Sequence, residues 1–172
     1  MNQQIKQRTG FTIIEVVLVL AIAGLIFMMV FIALPALQRT QRDMQRKDDL
    51  ARMMTELTHY TSNNRGSLPN GTSGWNSFET SYLLANNDTF VDPAGAASGQ
   101  SVTDRYNLKI DSSGTYTDLT STSFSDAQNM IYVAPGAICN ASDSAASPTY
   151  SGQRKVAIRM VLEGGGVSCQ NN

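Results

Sequence analysis

The sequence predicts an α+β protein: a long N-terminal α-helix, its first half membrane-spanning, packed by its second half against a small antiparallel β-sheet head. Three observations predict it. Val16 to Leu37 are 22 consecutive residues without a charged or hydrogen-bonding side chain. Leu50, Met53, Met54, Leu57 and Tyr60 then recur at three- and four-residue spacing, the stripe of a helix that buries one face. Beyond them, half of residues 61–127 are Ser, Thr, Asn or Gly, which favours turns, loops and short strands.

Residues 1–10, MNQQIKQRTG, carry Lys6 and Arg8 and no apolar stretch. They form a short basic leader rather than a secretory signal, whose apolar region would be followed by a small-residue cleavage site. Residues 11–37 form the apolar part of the helix, roughly 33 Å over the 22-residue run and enough to cross a bilayer's hydrocarbon core. Residues 38–64 continue it as an amphipathic segment, because no Pro or Gly intervenes between Leu37 and Asn64. Asn63, Asn64, Gly66 and Pro69 supply the stop. On the polar face Arg39, Arg42, Arg46, Lys47 and Arg52 alternate with Asp43, Asp48, Asp49 and Glu56. Such mixed charge solubilises a helix, or pairs neighbouring helices in an assembly.

Residues 65–172 form the head. Phe78 to Ala85 read as a short helix capped by Asn76 or Ser77. Tyr106, Leu108 and Ile110 alternate with polar residues and predict a half-buried strand. The turn Asp111 to Gly114 leads into Thr115 to Thr120, which predicts a hairpin. Met130 to Ala134 is a third strand, and Val156, Ile158, Met160 and Leu162 alternate through a fourth. Gly164 to Gly166 read as the turn after it.

Composition removes several function classes. Thirteen basic against fourteen acidic residues is not the balance of a general nucleic-acid binder. One histidine and two cysteines leave little for metal or nucleophilic chemistry, so neither an enzyme nor a cofactor is expected. His59 lies beside the packing stripe and reads as a structural or surface residue. Asp111, Asp118 and Asp126 are spaced unlike an EF-hand and read as turn residues. The triple glycine has no following Lys and Ser/Thr, so it is no phosphate-binding loop.

Glu15 stands out. A carboxylate inside a membrane helix costs about 2.5–3.5 kcal/mol on insertion scales, so it needs a partner or a function. Gly10 to Leu25, G-FTIIEVVLVLAIAGL, resembles the class III leader and N-terminal helix of type IV pilins and the related secretion-system pseudopilins. The matching residues are Gly10, Phe11, Thr12, Glu15 and Gly24. The resemblance implies cleavage after Gly10 by a prepilin peptidase and N-methylation of the new first residue, Phe11. It implies that Glu15, beside Thr12, pairs with the Phe11 amine of an adjacent subunit and sets the register of assembly. Gly24 would lie where such helices loosen. The family often has a proline where this chain has Ile32, and Pro35 follows three residues later, predicting a kink or unwound stretch from Phe31 to Pro35.

Asn63 to Pro69 and Phe90 to Gly95 are weaker echoes of the loop between helix and sheet in that family. In an exported head Cys139 and Cys169 would form a disulfide, as in the C-terminal loop of many pilins. Closing that loop contributes about 3–4 kcal/mol by loop-closure entropy. The implied partners are other copies of the chain, the lipid bilayer before assembly, the prepilin peptidase, an inner-membrane platform and a motor ATPase. The expected role is a pilus subunit serving adhesion, twitching motility or DNA uptake, with the head outside the cytoplasm. The alternatives are a secretion pseudopilin and a membrane-tethered enzyme or binding domain.

Overall fold

The computed structural model describes residues 10–85, 90–95 and 105–172. The leader residues Lys6 and Arg8 therefore lie outside the described residues. Helix α1 runs from Ile13 to Asn63, and the chain divides into two compact units, Met1–Gln38 and Arg39–Asn172.

In the first unit α1 is apolar all round. Its most apolar 18-residue window has no buried residue, and it is long and apolar enough to cross a membrane. The helix persists through Pro35, so the unwound stretch expected from Phe31 to Pro35 is not present. Proline there forfeits one backbone hydrogen bond, and the turns on either side keep theirs. Gly24 is also helical, and nothing lies within 4 Å of where its Cβ would be. Its missing side chain thus makes room for nothing within this chain.

The second unit is the α+β head. Leu50, Met53 and Leu57 of α1 are buried against a sheet, with Met54 and Tyr60 packed at the margin. The helix stops where Arg65 and Gly66 both take positive φ, 57° and 80°, and Gly66 N–H reaches back to the Thr61 carbonyl at 2.7 Å. Two left-handed residues in succession reverse the chain, and glycine adopts that conformation without Cβ strain.

Helix α2 spans Gly71–Phe78 and passes directly into a π-helical turn, Glu79–Leu83. The expected helix at Phe78 to Ala85 thus begins earlier, and Asn70, not Asn76 or Ser77, holds its N-cap position. Gly71, Ser73 and Gly74 are poor helix formers, so propensity hides this start. What secures the turn is burial of Trp75 and Phe78, with Phe78 in edge-to-face ring contact with Tyr60 at 5.7 Å and with Trp75 at 5.9 Å.

The strands are β1 (Asn107–Ile110), β2 (Met130–Pro135), β3 (Ala137–Ile138), β4 (Thr149–Tyr150), β5 (Val156–Val161) and β6 (Val167–Asn171), with a one-turn helix α3 (Phe124–Ala127) before β2. The main sheet has the order β1-β2-β5-β6, and β3 pairs with β4 in a second, two-stranded sheet. The main sheet is mixed rather than antiparallel: β1 runs parallel to β2, Leu108 opposite Ile131. The hairpin expected after β1 does not form. Only a single bridge, Ser112 to Thr115, follows β1, and the chain crosses over through α3 to pair beside it.

β5 departs from its alternating pattern too, since all six of its residues are buried. Val156, Ile158 and Met160 face the α1 core, while Ala157 and Val161 face clusters containing Ala134, Ala137, Leu119 and Tyr132. Both faces of the sheet are covered, which removes the reason for polar alternation. The turn expected at Gly164 to Gly166 forms, and it leads into β6, a strand not anticipated from the sequence, which runs antiparallel to β5 with Cys169 opposite Arg159.

Candidate functional site

Two groups of residues invite a functional reading, one in each unit. The first begins at Gly10, which is exposed and not helical, followed by Phe11 at 90% exposure. Thr12 immediately precedes the helix and caps it. The Thr12 N–H and Oγ1–H both donate to Glu15 Oε2, at 2.8 and 2.7 Å, and the Glu15 N–H faces Thr12 Oγ1 at 3.4 Å. This is a reciprocal capping box. Glu15 therefore has a partner inside its own chain, missed at the sequence level although T-x-x-E before an apolar run is the signal for it. The carboxylate also sits in the first helical turn, where the macrodipole favours negative charge. From Phe11 to Leu37 the large apolar side chains are exposed on every face, Phe27 and Leu20 at 65% among them. The Gly10–Phe11 peptide, the cap and the apolar span are thus all accessible within this chain.

The second group sits on the head side of α1. Arg46 is fully buried, its guanidinium forked onto Asp92 through Nε and Nη2 at 2.9 and 2.7 Å. Its Nη1 donates to Asp43 Oδ1 at 2.9 Å and approaches Glu163 Oε2 at 3.4 Å, and its plane lies 4.5 Å over the Phe124 ring. Asp43 accepts the Glu163 and Gly164 N–H groups at 2.8 and 2.7 Å. A Cβ on Gly164 would lie 2.9 Å from Asp43 Oδ2, so any larger residue there would displace the Asp43 carboxylate. Arg42 forks onto Glu163 at 2.7 and 2.5 Å.

The electrostatics follow from these contacts. The Arg42 hydrogen bonds hold the Glu163 carboxyl below its ordinary range. Burial works against the charge on Arg46, and the hydrogen bonds and charges of Asp92 and Asp43 outweigh it, so its pKa lies above that of a free arginine. Tyr106 donates to Asp49 Oδ2 at 2.9 Å, and burial raises both groups. Of the charged residues along α1, Arg42, Asp43 and Arg46 fasten the helix to the β5–β6 turn and to the Asp92 segment, while Lys47 and Asp48 stay exposed. The Phe90 to Gly95 echo gains a local meaning, because Asp92 both holds Arg46 and accepts the Ala94 N–H at 2.8 Å.

Cys139 and Cys169 form a disulfide that joins the end of β3 to β6. Asp111, Asp118 and Asp126 do not converge: they accept hydrogen bonds from Thr117, Thr120 and Ser123 respectively. Among the described residues no group of His, Cys, Asp and Glu is arranged to hold a metal. His59 is exposed beside Glu56 at 3.4 Å. Comparison with known proteins returns no matching family model, no matching curated protein and no matching solved structure.

Proposed function

We propose that this chain is a membrane-anchored precursor that is trimmed after Gly10 and polymerised through its N-terminal helix into a type IV pilus-like filament. The observation that carries the reading is the apolar span of α1, exposed on every face and entered through a capped carboxylate. Such a surface is stable in a bilayer or in a bundle of identical helices, and transfer between the two exposes little of it to water. Assembly, not catalysis, is then the mechanism. Apolar helices bundle, Glu15 sets the register, and the disulfide-closed head covers the shaft outside the cytoplasm. In this reading the Phe11 α-amine freed by cleavage meets Glu15 of a neighbour, an ion pair that offsets the desolvation of both groups. A prepilin peptidase, a membrane platform and a motor ATPase are the partners such a cycle uses.

Mass spectrometry of sheared surface material tests the processing step: the expected chain begins at methylated Phe11, and an intact Met1 in filaments refutes it. Glu15→Val tests the register step. It should insert into the membrane normally yet assemble poorly, and normal filaments built solely from that variant would overturn the mechanism.

A further inference from the structure

Asn70, Gly71 and Thr72 spell Asn-x-Thr, the triplet in which an asparagine amide accepts a saccharide on an exported chain. Asn87-Asp88-Thr89 and Asn140-Ala141-Ser142 have the same form. Such triplets arise often by chance, so the sequence singles out none of them. Asn87 lies outside the described residues, and the structure separates the other two.

At Asn140 the side chain is committed. Its Oδ1 accepts the Ser142 and Asp143 N–H groups at 3.0 and 3.4 Å, which folds the amide back over its own triplet. The residue before it, Cys139, is tied to β6 by the disulfide. At Asn70 the side chain is free. The residue is exposed and extended, with φ −108° and ψ 129°, and its side chain makes no hydrogen bond to the start of α2. Asparagine in that position ordinarily spends its side chain on capping. Here only the main-chain carbonyl is used, by the Gly74 N–H at 3.2 Å. Gly71 and Thr72 are exposed as well, and a Cβ on Gly71 would meet no atom within 4 Å. Neither the Asn70 amide nor the Thr72 hydroxyl has a partner among the described residues. The buried Pro69 anchors the chain immediately before them, so the triplet is held open on a fixed loop.

We infer that Asn70 is a site of N-linked saccharide attachment, which rests on the reading that the head lies outside the cytoplasm. In the transfer, a bond forms from Asn70 Nδ2 to the anomeric carbon of a lipid-diphosphate-linked saccharide. The bond from that carbon to the diphosphate oxygen breaks, the lipid diphosphate leaves with the electron pair, and Nδ2 gives up one proton. The transferase reads the hydroxyl two residues on, so serine serves at position 72 and valine does not. Asn140 stays bare, because its amide would first have to leave two backbone donors.

The full chain is extracted from the cells that make it. Trypsin, which cuts after Arg65 and Arg105, releases residues 66–105 for fragmentation in the mass spectrometer. The saccharide should sit on Asn70 in the parent, persist in Thr72→Ser, and be lost completely in Thr72→Val and Asn70→Gln. Both side chains are exposed, so all three variants should melt like the parent. A bare Asn70 on chains whose head is cut by protease added to spheroplasts overturns the proposal and leaves export standing. A head that such protease does not reach overturns the export reading and the proposal with it. A saccharide on a serine or threonine of the same peptide, or one kept in Thr72→Val, also overturns it.

Discussion

Arg46 has the identity of a surface residue and the burial of a core leucine. A guanidinium at zero exposure is tolerable only because Asp92, Asp43 and Glu163 all face it. Removing the cation while leaving the carboxylates is therefore worse than removing both sides. Arg46→Met should cost about 3–5 kcal/mol, read as a fall in the thermal midpoint of the head. Adding Asp92→Asn to that variant should restore part of the loss, because one buried charge no longer lacks a partner. A single variant that melts like the parent would show that the network contributes nothing to stability. Thr12 and Glu15 make the converse case: a threonine that looks neutral supplies two donors to the one carboxylate of the apolar unit. Neither residue's role is visible in its identity alone, because each depends on what the fold brings within 3 Å.

At the scale of elements, legibility followed the range of the interaction that stabilises each one. Helix α1 was readable because its determinants repeat every three or four residues, and Leu50, Met53 and Leu57 end up buried. Strands β2 and β5 were readable from local apolar runs. β6 was not, because Ser168, Cys169, Gln170 and Asn171 have weak strand preference and are held by ladder bonds to β5 and the disulfide. The parallel pairing of β1 with β2 is likewise set by a crossover that no local pattern encodes. At Pro35 the local rule allowed a kink or an unwound stretch, and of the two the unwinding is absent, since α1 continues through it. Pro35→Ala should then add one hydrogen bond and leave the circular-dichroism helicity of the full chain in micelles almost unchanged. A gain equivalent to a whole turn or more would mean that residues 31–35 are unwound in the parent.

For the whole molecule, the two fastenings of α1 to the head respond to acid in opposite directions. Glu163 titrates below its ordinary value because Arg42 donates to it. The unfolded chain therefore takes up that proton first. Its contribution is complete above the unfolded glutamate pKa of about 4.3, and is lost as pH falls through the lower folded value. Asp49 titrates above its ordinary value because it is buried. There the folded chain takes up the proton first, so the charged form opposes folding at neutral pH, and stability rises as pH falls from the folded value towards about 3.9. The two variants should consequently diverge. Glu163→Gln should melt below the parent at pH 7, and the two curves should converge as pH falls below about 4, where the parent's own glutamate is protonated. Asp49→Asn keeps a carbonyl to accept from Tyr106, so it should melt at or above the parent at pH 7 and lose that advantage in acid. Thermal midpoints of the three chains across pH 3 to 7 decide the matter. Parallel curves for parent and Glu163→Gln would show that the Arg42–Glu163 fork carries no linkage to folding.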